Sequence, residues 1–414
     1  MINTFYDSYR ILMRVYGQKT YIKQAINSET IEPINRSTVI KIVYGVVDND
    51  IYLDYVLSCL CDKRPKLPVR VVLKIAIYNL HFLKKSPYAV TDSAVELLKK
   101  LGKGVGGFAN AILRKYISSE IPLPTDYLSN LSVRYSYPEF AVKMLISYYG
   151  NDVTEKIVEY RTAHNYIRFC KEVDGAKYLS DHNKDFAGTP FNNLFDVTNF
   201  RRDEDYDKGI YTFQSIGSVA ICDIVPEGEV LIDCCAAPGG KSVFLSEKFD
   251  KVIAFELHEH RTELIKQYAL RMQVKNVETK TVDSTVFDSE YEQYADVVLC
   301  DCPCSGYGVV NENPDIKLNR EKDSIAELHE EQVKILNNCS KYVKKGGYLI
   351  YSTCSLFNEE NDETVLAFAP DEKGFEICDI SSPLAGFKTE FGMQYLPHIS
   401  LGAGFYVCKM RKVK

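Results

Sequence analysis

Over the first 120 residues, apolar positions recur at three- and four-residue spacing, as in amphipathic helices with one face turned inward. The pattern is clearest in YDSYRILMRVY (6–16), RSTVIKIVYGVV (36–47), VRVVLKIAIYNLHFL (69–83) and TDSAVELLKKL (91–101), with Pro68 and Pro87 as breaks. An all-α bundle over residues 1–120 is therefore expected. Thr91 is placed to cap the helix that follows it, and Gly102 to stop that helix. Pro122 and Pro124 then interrupt the periodicity. Residues 121–205 combine the helical stretches EFAVKMLISYYG and NDVTEKIVEYRTA with a polar run, KDFAGTPFNNLFDVTNF, and read as a small connecting α+β domain.

From residue 206 onward the period changes. Short apolar runs bounded by turn residues, EVLIDCC (229–235), KVIAFEL (251–257), ADVVLCD (295–301) and GGYLIYS (346–352), alternate with the helical stretches HRTELIKQYALRMQV and DSIAELHEEQVKILNNCSKYVKK. Strands alternating with helices of this length predict a multidomain chain whose last part, residues 206–414, is a Rossmann-like α/β domain with a mostly parallel sheet. The second of these helices is expected to open on a capping box, Ser324 with Glu327, and to run as far as Gly346 and Gly347.

Composition narrows the class. With 46% hydrophobic and 26% charged residues in 414, the chain has ample apolar material for several cores, which excludes a disordered protein. Its richest apolar stretch, residues 69–83, carries Arg70, Lys74 and Asn79, and so is no membrane span. The start, MINTFYDSYRILMR, lacks the basic region and apolar core of a leader, which points to a cytoplasmic protein. Thirteen cysteines in a chain of this size are expected as thiols rather than a disulfide framework.

The net charge of -6 hides a split. Residues 1–117 hold 18 Lys and Arg against 9 Asp and Glu, and the remainder holds 32 against 47. A basic front suits an anionic partner such as nucleic acid, although basic faces are also often merely solvated. Lys63, Arg64, Lys66 and Arg70 form its densest cluster.

The chemistry gathers at the strand ends. VLIDCCAAPGGKS (230–242) joins an apolar strand to a helix through a small, glycine-bearing turn, which lets backbone N–H groups approach a ligand such as an adenosyl group. It has neither the G-x-G-x-x-G spacing of a nicotinamide site nor that of a P-loop. Glu256 ends the next strand and is placed to accept from ribose hydroxyls, while Asp283, in KTVDST, could accept from an adenine amino group. Each acid alone would more often be a solvated loop carboxylate. DCPCSGYG (301–308) and YSTCSLFNEEN (351–361) also follow strands, so Asp301, Cys304 and Cys354 should share one sheet edge with the adenosyl site. Cys300, Cys302 and Cys304 could in principle bind metal, but strand alternation turns neighbours to opposite faces and no zinc-type partner pair follows. Cys300, Cys302 and Cys339 therefore read as buried, inert thiols, and no metal is expected.

At these residues the chain resembles the RNA 5-methylcytosine methyltransferases of the Sun or RsmB type. The resemblance rests on CAAPGGK (235–241), DCPCSG (301–306), NPDIK (313–317) and YSTCS with NEEN (351–361). VYGVV, AIYNLHFL, AVELLKKLG and GFANAILRKY in the front resemble the RNA-binding module of the antitermination factor NusB, and RYSYP (134–138) the start of the family's connecting domain. The resemblance implies S-adenosylmethionine as cofactor, bound by Cys235, Ala236, Ala237, Pro238, Gly239, Gly240, Lys241, Glu256, Asp283 and Asp301. It implies an RNA substrate, unassembled small-subunit ribosomal RNA ahead of transfer RNA, and the chain is expected to work as a monomer. Departures from the family pattern include Cys302 for the usual Ala, Glu256 for the usual Asp, Asn311 and Glu312 for a basic pair, and LGAGFYV without its usual acid.

Carbon 5 of cytosine is too poor a nucleophile to accept a methyl group until a thiolate has added to carbon 6. Cys304 sits in the Pro-Cys context of DNA enzymes, and Cys354 in the Thr-Cys context with which the resemblance associates attack on RNA. Cys354 is therefore the expected nucleophile, Cys304 the aid to proton removal or release, and Asp301 the acid near ring nitrogen 3. Two other classes remain open: a non-catalytic NusB-like RNA-binding protein, and a small-molecule methyltransferase. The first leaves both cysteines without a role, and the second leaves the front domain without one.

Overall fold

Helix α1 (Ile2–Gln18) buries Phe5, Ser8, Tyr9, Ile11, Leu12 and Val15, the stripe that its sequence period dictates. It opens one of two compact units into which the computed structural model divides the chain. The first comprises residues 1–159 and 310–320, and the second residues 160–309 and 321–414. All residues except Lys103, Ala163 and Asn199 are described.

After α1 the first unit continues through α2 (Ile22–Asn27), α3 (Pro33–Asp48), α4 (Asp50–Leu60), α5 (Leu67–His81), α6 (Pro87–Lys100), α7 (Gly106–Ser118), α8 (Tyr127–Tyr135) and α9 (Glu139–Glu159). Helix α5 is its centre. Every residue from Val71 to Asn79 is buried, and α1, α3, α4, α6 and α7 pack around it. An all-round apolar helix is stable only when enclosed in this way. The one cation in that stretch, Lys74, is held by Asp50 at 2.5 Å and Asp54 at 2.9 Å, since a buried charge needs a partner. Asp54 also meets Arg64 at 3.2 Å and Arg70 at 3.8 Å. The densest basic cluster of the sequence is thus partly neutralised from within.

Two helix starts differ from the sequence reading. Helix α6 begins at Pro87, with Ser86 before it, so Thr91 lies inside the helix; the fixed φ of proline favours the earlier start. Gly102 does follow the helix end, at φ +63°, and its N–H meets Lys99 O.

The run NPDIK belongs to this first unit. It leads into α15 (Ile316–Asn319), where the Asp315 carboxylate accepts from the Ile22 N–H at 2.9 Å, at the start of α2. Lys317 Nζ donates to the Asp48 carbonyl at 2.6 Å and to its carboxylate at 2.7 Å. These residues act as a structural tie. Within the first unit α8 and α9 pack together, α8 reaching α4, and the second unit starts at Tyr160.

The second unit opens with an antiparallel sheet, β1 (Tyr166–Phe169), β2 (Phe186–Gly188), β3 (Leu194–Val197) and β4 (Tyr211–Phe213), in the order β2-β3-β1-β4. Short helices α10 (Gly175–Asp181) and α11 (Glu204–Asp207) lie between its strands in the chain, and α12 (Ile216–Asp223) leads out of it.

The main sheet follows. Strands β5 (Gly228–Asp233), β6 (Phe249–Glu256), β7 (Val277–Thr281), β8 (Ala295–Asp301) and β9 (Val343–Thr353) are mutually parallel. Helices α13 (Gly240–Leu245), α14 (Glu259–Arg271) and α16 (Asp323–Cys339) connect them. After α17 (Asp362–Phe368) come the antiparallel strands β10 (Phe375–Ile377), β11 (Phe387–Lys388), β12 (Met393–Tyr395) and β13 (Phe405–Lys412). The order is β11-β12-β13-β9-β8-β5-β6-β7, with β10 beside β13. Apolar cores cover both faces of β5, β6, β8 and β9, which explains the apolar runs in their sequences, whereas β7, VETKT at the sheet edge, has no buried residue.

Helix α16 corrects the sequence reading at both ends. Ser324 Oγ donates to Glu321 O at 2.7 Å instead of capping, and the helix starts at Asp323. It stops at Cys339 because Val343 pairs with Ala295 of β8, so strand pairing overrides the helical pattern of SKYVKK. Among the described residues, no helix is long and apolar enough to cross a membrane.

Candidate active site

Strands β5, β6, β8 and β9 deliver Asp233, Glu256, Asp301 and Thr353 at their carboxyl ends, the edge where open parallel sheets bind ligands. Two clefts open there. The larger, about 360 Å³, is lined by Cys235, Ala237, Glu256, Asp283, Asp301, Cys304 and Cys354, among others. The smaller, about 190 Å³, is lined by Cys235, Ala236, Ala237, Pro238, Gly240, Lys241 and Asp301, together with Gln214, Ser215 and Tyr268. All the expected site residues except Gly239 thus line one cleft or the other. Gly239 instead caps α13 at φ +102°, and a Cβ there would come within 3.1 Å of Ile265 on α14.

The acids are held differently. Glu256 is 3% exposed, and its Oε1 accepts from the His258 N–H at 3.2 Å and pairs with Arg261 at 3.2 Å. Asp283 is exposed, its Oδ1 accepting from the Thr285 N–H and hydroxyl at 2.9 and 2.6 Å. Asp301 Oδ2 pairs with Lys241 Nζ at 2.5 Å, and its Oδ1 accepts from Ser352 Oγ at 2.7 Å. Burial works against the Lys241 charge, but the Asp301 carboxylate outweighs it and holds the ammonium well above its ordinary range.

Asp233, 1% exposed, is not among the site residues expected from the sequence. Its Oδ2 accepts from Ser242 Oγ at 2.6 Å, while its Oδ1 has no hydrogen-bond partner among the described residues. Burial pushes this carboxyl up to about 7, against the pull of the Ser242 hydroxyl and with a further push from Asp301. The native state therefore keeps a proton that the unfolded chain releases near 4, so this contribution to stability is full below pH 4 and is lost as pH rises towards 7. Asp233→Asn is expected to remove that loss, leaving the variant more stable than wild type at pH 8 by on the order of 4 kcal/mol. Urea unfolding at pH 5 and pH 8 checks this; an equal pH dependence in both proteins would contradict it.

The two thiols come together. Cys304 Sγ and Cys354 Sγ are 3.0 Å apart, and the Cys354 N–H donates to Cys304 Sγ at 3.2 Å. The Cys354 thiol beside it, and then burial, push Cys304 well above the ordinary thiol range. Cys354 is the more exposed of the pair. The Gly308 N–H donates to the Cys354 carbonyl at 2.9 Å, and Gly308 lies against Gly404; a Cβ on Gly308 would fall 1.9 Å from Gly404 O and 2.8 Å from Cys354 O. Both positions are open only to glycine. The grouping of Cys300, Cys302 and Cys304 considered from sequence spacing does not form; Cys300 instead clusters with Cys234 and Cys339, their sulfurs within 4.8 Å of one another in the apolar core.

The family model for 16S rRNA methyltransferase RsmB/F matches residues 223–411, and the NusB family model matches residues 8–118. The chain is 30% identical to the probable ribosomal RNA small subunit methyltransferase B of Bacillus subtilis (strain 168), with 94% of each chain covered. The chain belongs to the RsmB/F family of 16S rRNA methyltransferases. It is also 28% identical to ribosomal RNA small subunit methyltransferase B of Vibrio cholerae, over 93% of this chain and 91% of that one. The crystal structure of PH0851 shares the fold, at a TM-score of 0.84 and 21% identity, over 100% of this chain and 99% of that one. Membership of the RsmB/F family accounts for the order of a NusB-like helical region before a Rossmann-like methyltransferase domain.

Proposed function

We propose that this protein transfers a methyl group from S-adenosylmethionine to carbon 5 of a cytosine in RNA, with small-subunit ribosomal RNA as substrate, through a covalent Cys354 adduct. The observation that carries the proposal is the placing of two thiols 3.0 Å apart on the cleft that also presents Glu256, Asp283 and Asp301. The donor set fits the cofactor: Glu256 is a buried acceptor at a strand end, Asp283 an exposed one nearby, and the Cys235–Lys241 turn leads into a helix. Bound there, the cofactor supplies an electrophilic methyl group on a sulfonium.

The side chains do the rest. Cys354 Sγ, as thiolate, adds to carbon 6 and turns carbon 5 into a nucleophile able to take the methyl group. Asp301, paired with the Lys241 ammonium at 2.5 Å, is assigned to ring nitrogen 3, where the adduct gains electron density. A general base then takes the carbon 5 proton, the carbon 5–carbon 6 double bond re-forms, and the carbon–sulfur bond breaks to free Cys354 as thiolate. Cys304, held as a neutral thiol in the resting site, is assigned to this release stage rather than to attack. A base approached by a thiol on one face and a methyl donor on the other must leave its stack, so an unpaired or flipped cytosine is the target.

Incubating the protein and labelled cofactor with ribosomal and transfer RNA from cells lacking it, followed by nucleoside digestion, tests the reading. Label in 5-methylcytidine of small-subunit rRNA is expected; label in another nucleoside contradicts the chemistry, and label in tRNA alone contradicts the substrate. Glu256→Ala is expected to weaken cofactor binding by about 1.5–3 kcal/mol, roughly 10- to 150-fold in Kd, because a buried charged acceptor is lost. The exposed Asp283 should cost less when replaced by Ala. Calorimetric titration with the cofactor checks both, and an unchanged Kd for Glu256→Ala would place the pocket elsewhere.

A further inference from the structure

Beneath the two thiols lies a buried polar network that none of these steps uses. Glu360, just before α17, is fully buried. Its Oε1 accepts from the Ser305 backbone N–H at 2.7 Å and from Gln332 Nε2 at 3.2 Å, and its Oε2 accepts from Ser355 Oγ at 2.5 Å. Ser305 directly follows Cys304, and Ser355 directly follows Cys354. One carboxylate thus grips the neighbour of each thiol, from two segments separated by 50 positions in the chain. Ser305 Oγ and Ser355 Oγ lie 3.1 Å apart and close the ring.

The frame around the carboxylate is equally tied down. Gln332 of α16 also donates to the Pro303 carbonyl at 2.9 Å, and Tyr351 OH donates to the Glu360 carbonyl at 2.5 Å. A carboxylate so far from water is costly unless its oxygens are occupied by donors, and such networks specify one arrangement because a partial one is worse than none. Apolar residues of similar size could fill this space. They could not bring an N–H of one loop and a hydroxyl of the other to a common point.

We propose that Glu360 is a positioning residue that sets the spacing between the Cys354 and Cys304 thiols by holding Ser305 and Ser355 together. Its catalytic consequence rests on the covalent reading of Cys354 given above, whereas the spacing can be measured without RNA. Diamide provides that measurement: it converts two adjacent thiols to a disulfide, its N=N bond taking up the two hydrogens. The Cys304–Cys354 crosslink is read by mass spectrometry of the digested full-length protein.

Glu360→Asp keeps the charge but withdraws the carboxylate by one methylene from both loops. It is expected to slow the crosslink by about tenfold and single-turnover methyl transfer by about 100-fold, the cost of an error near 1 Å in placement, with the cofactor Kd and the RNA KM unchanged. Glu360→Gln keeps the reach and an oxygen for Ser305, and Ser355 Oγ can turn to accept from its amide. It should restore both rates to within about threefold of wild type. Crosslinking of Glu360→Asp at the wild-type rate overturns the proposal, as does a Glu360→Gln variant as slow as Glu360→Asp. If Glu360→Asp does not fold, Ser355→Ala, which removes one of the two grips, serves the same purpose, and a wild-type crosslinking rate there is equally fatal. Slow crosslinking in Glu360→Asp beside a Cys304→Ala protein that traps no covalent RNA adduct would leave the positioning role standing and remove the covalent reading instead.

Discussion

Cys354→Ala is expected to abolish methyl transfer, lowering kcat by at least about 10⁴-fold while leaving cofactor binding intact. The size of the loss follows from the chemistry: without a bond from sulfur to carbon 6, carbon 5 never becomes a competent nucleophile. Cys304 cannot readily take over, since its burial persists in the variant and still opposes ionisation of the thiol. The fold should tolerate the change, because Cys354 is only partly buried and alanine is smaller. Single-turnover transfer and a cofactor titration on the same preparation check this. Residual transfer within about tenfold of wild type would show that another group attacks.

Gly308→Ala should be nearly as damaging, although the residue carries no functional group. A Cβ at this position would collide with the Gly404 carbonyl at 1.9 Å and crowd the Cys354 carbonyl at 2.8 Å, and both obstacles are backbone that cannot swing aside. Either the loop bearing Cys304 or the segment bearing Cys354 must shift, and a shift near 1 Å in a catalytic group costs about 100-fold. Glu256 and Asp283 sit on other elements, so the cofactor Kd is expected to stay within about threefold of wild type. A fully active Gly308→Ala protein would mean that the Gly308–Gly404 contact has no part in aligning the thiols.

Much of this site was legible in the sequence because local patterns carry it. The apolar runs of β5, β6, β8 and β9 end at Asp233, Glu256, Asp301 and Thr353, and parallel topology alone then brings these ends to one edge. What stayed hidden depends on contacts distant in sequence. The role of Glu360 requires knowing that Ser305 and Ser355 converge on it, and Gly308 requires Gly404, nearly a hundred residues away. NPDIK was visible as a motif, but its tie to α2 and Asp48 was not, since nothing local in residues 313–317 points to a helix almost three hundred residues earlier. The helix boundaries failed for a related reason. At Val343 strand pairing with Ala295 overrides a helical period, and at Thr91 a favourable capping residue lost to Pro87 upstream.

The most direct measurement of the covalent reading is denaturing electrophoresis of Cys304→Ala after incubation with substrate RNA and cofactor. If Cys354 attacks carbon 6 and Cys304 serves only release, this variant should pass through methyl transfer and stall, so a protein–RNA complex that survives denaturation accumulates, and the double variant lacking Cys354 forms none. A complex that instead accumulates in Cys354→Ala, with none in Cys304→Ala, would contradict the account and make Cys304 the nucleophile.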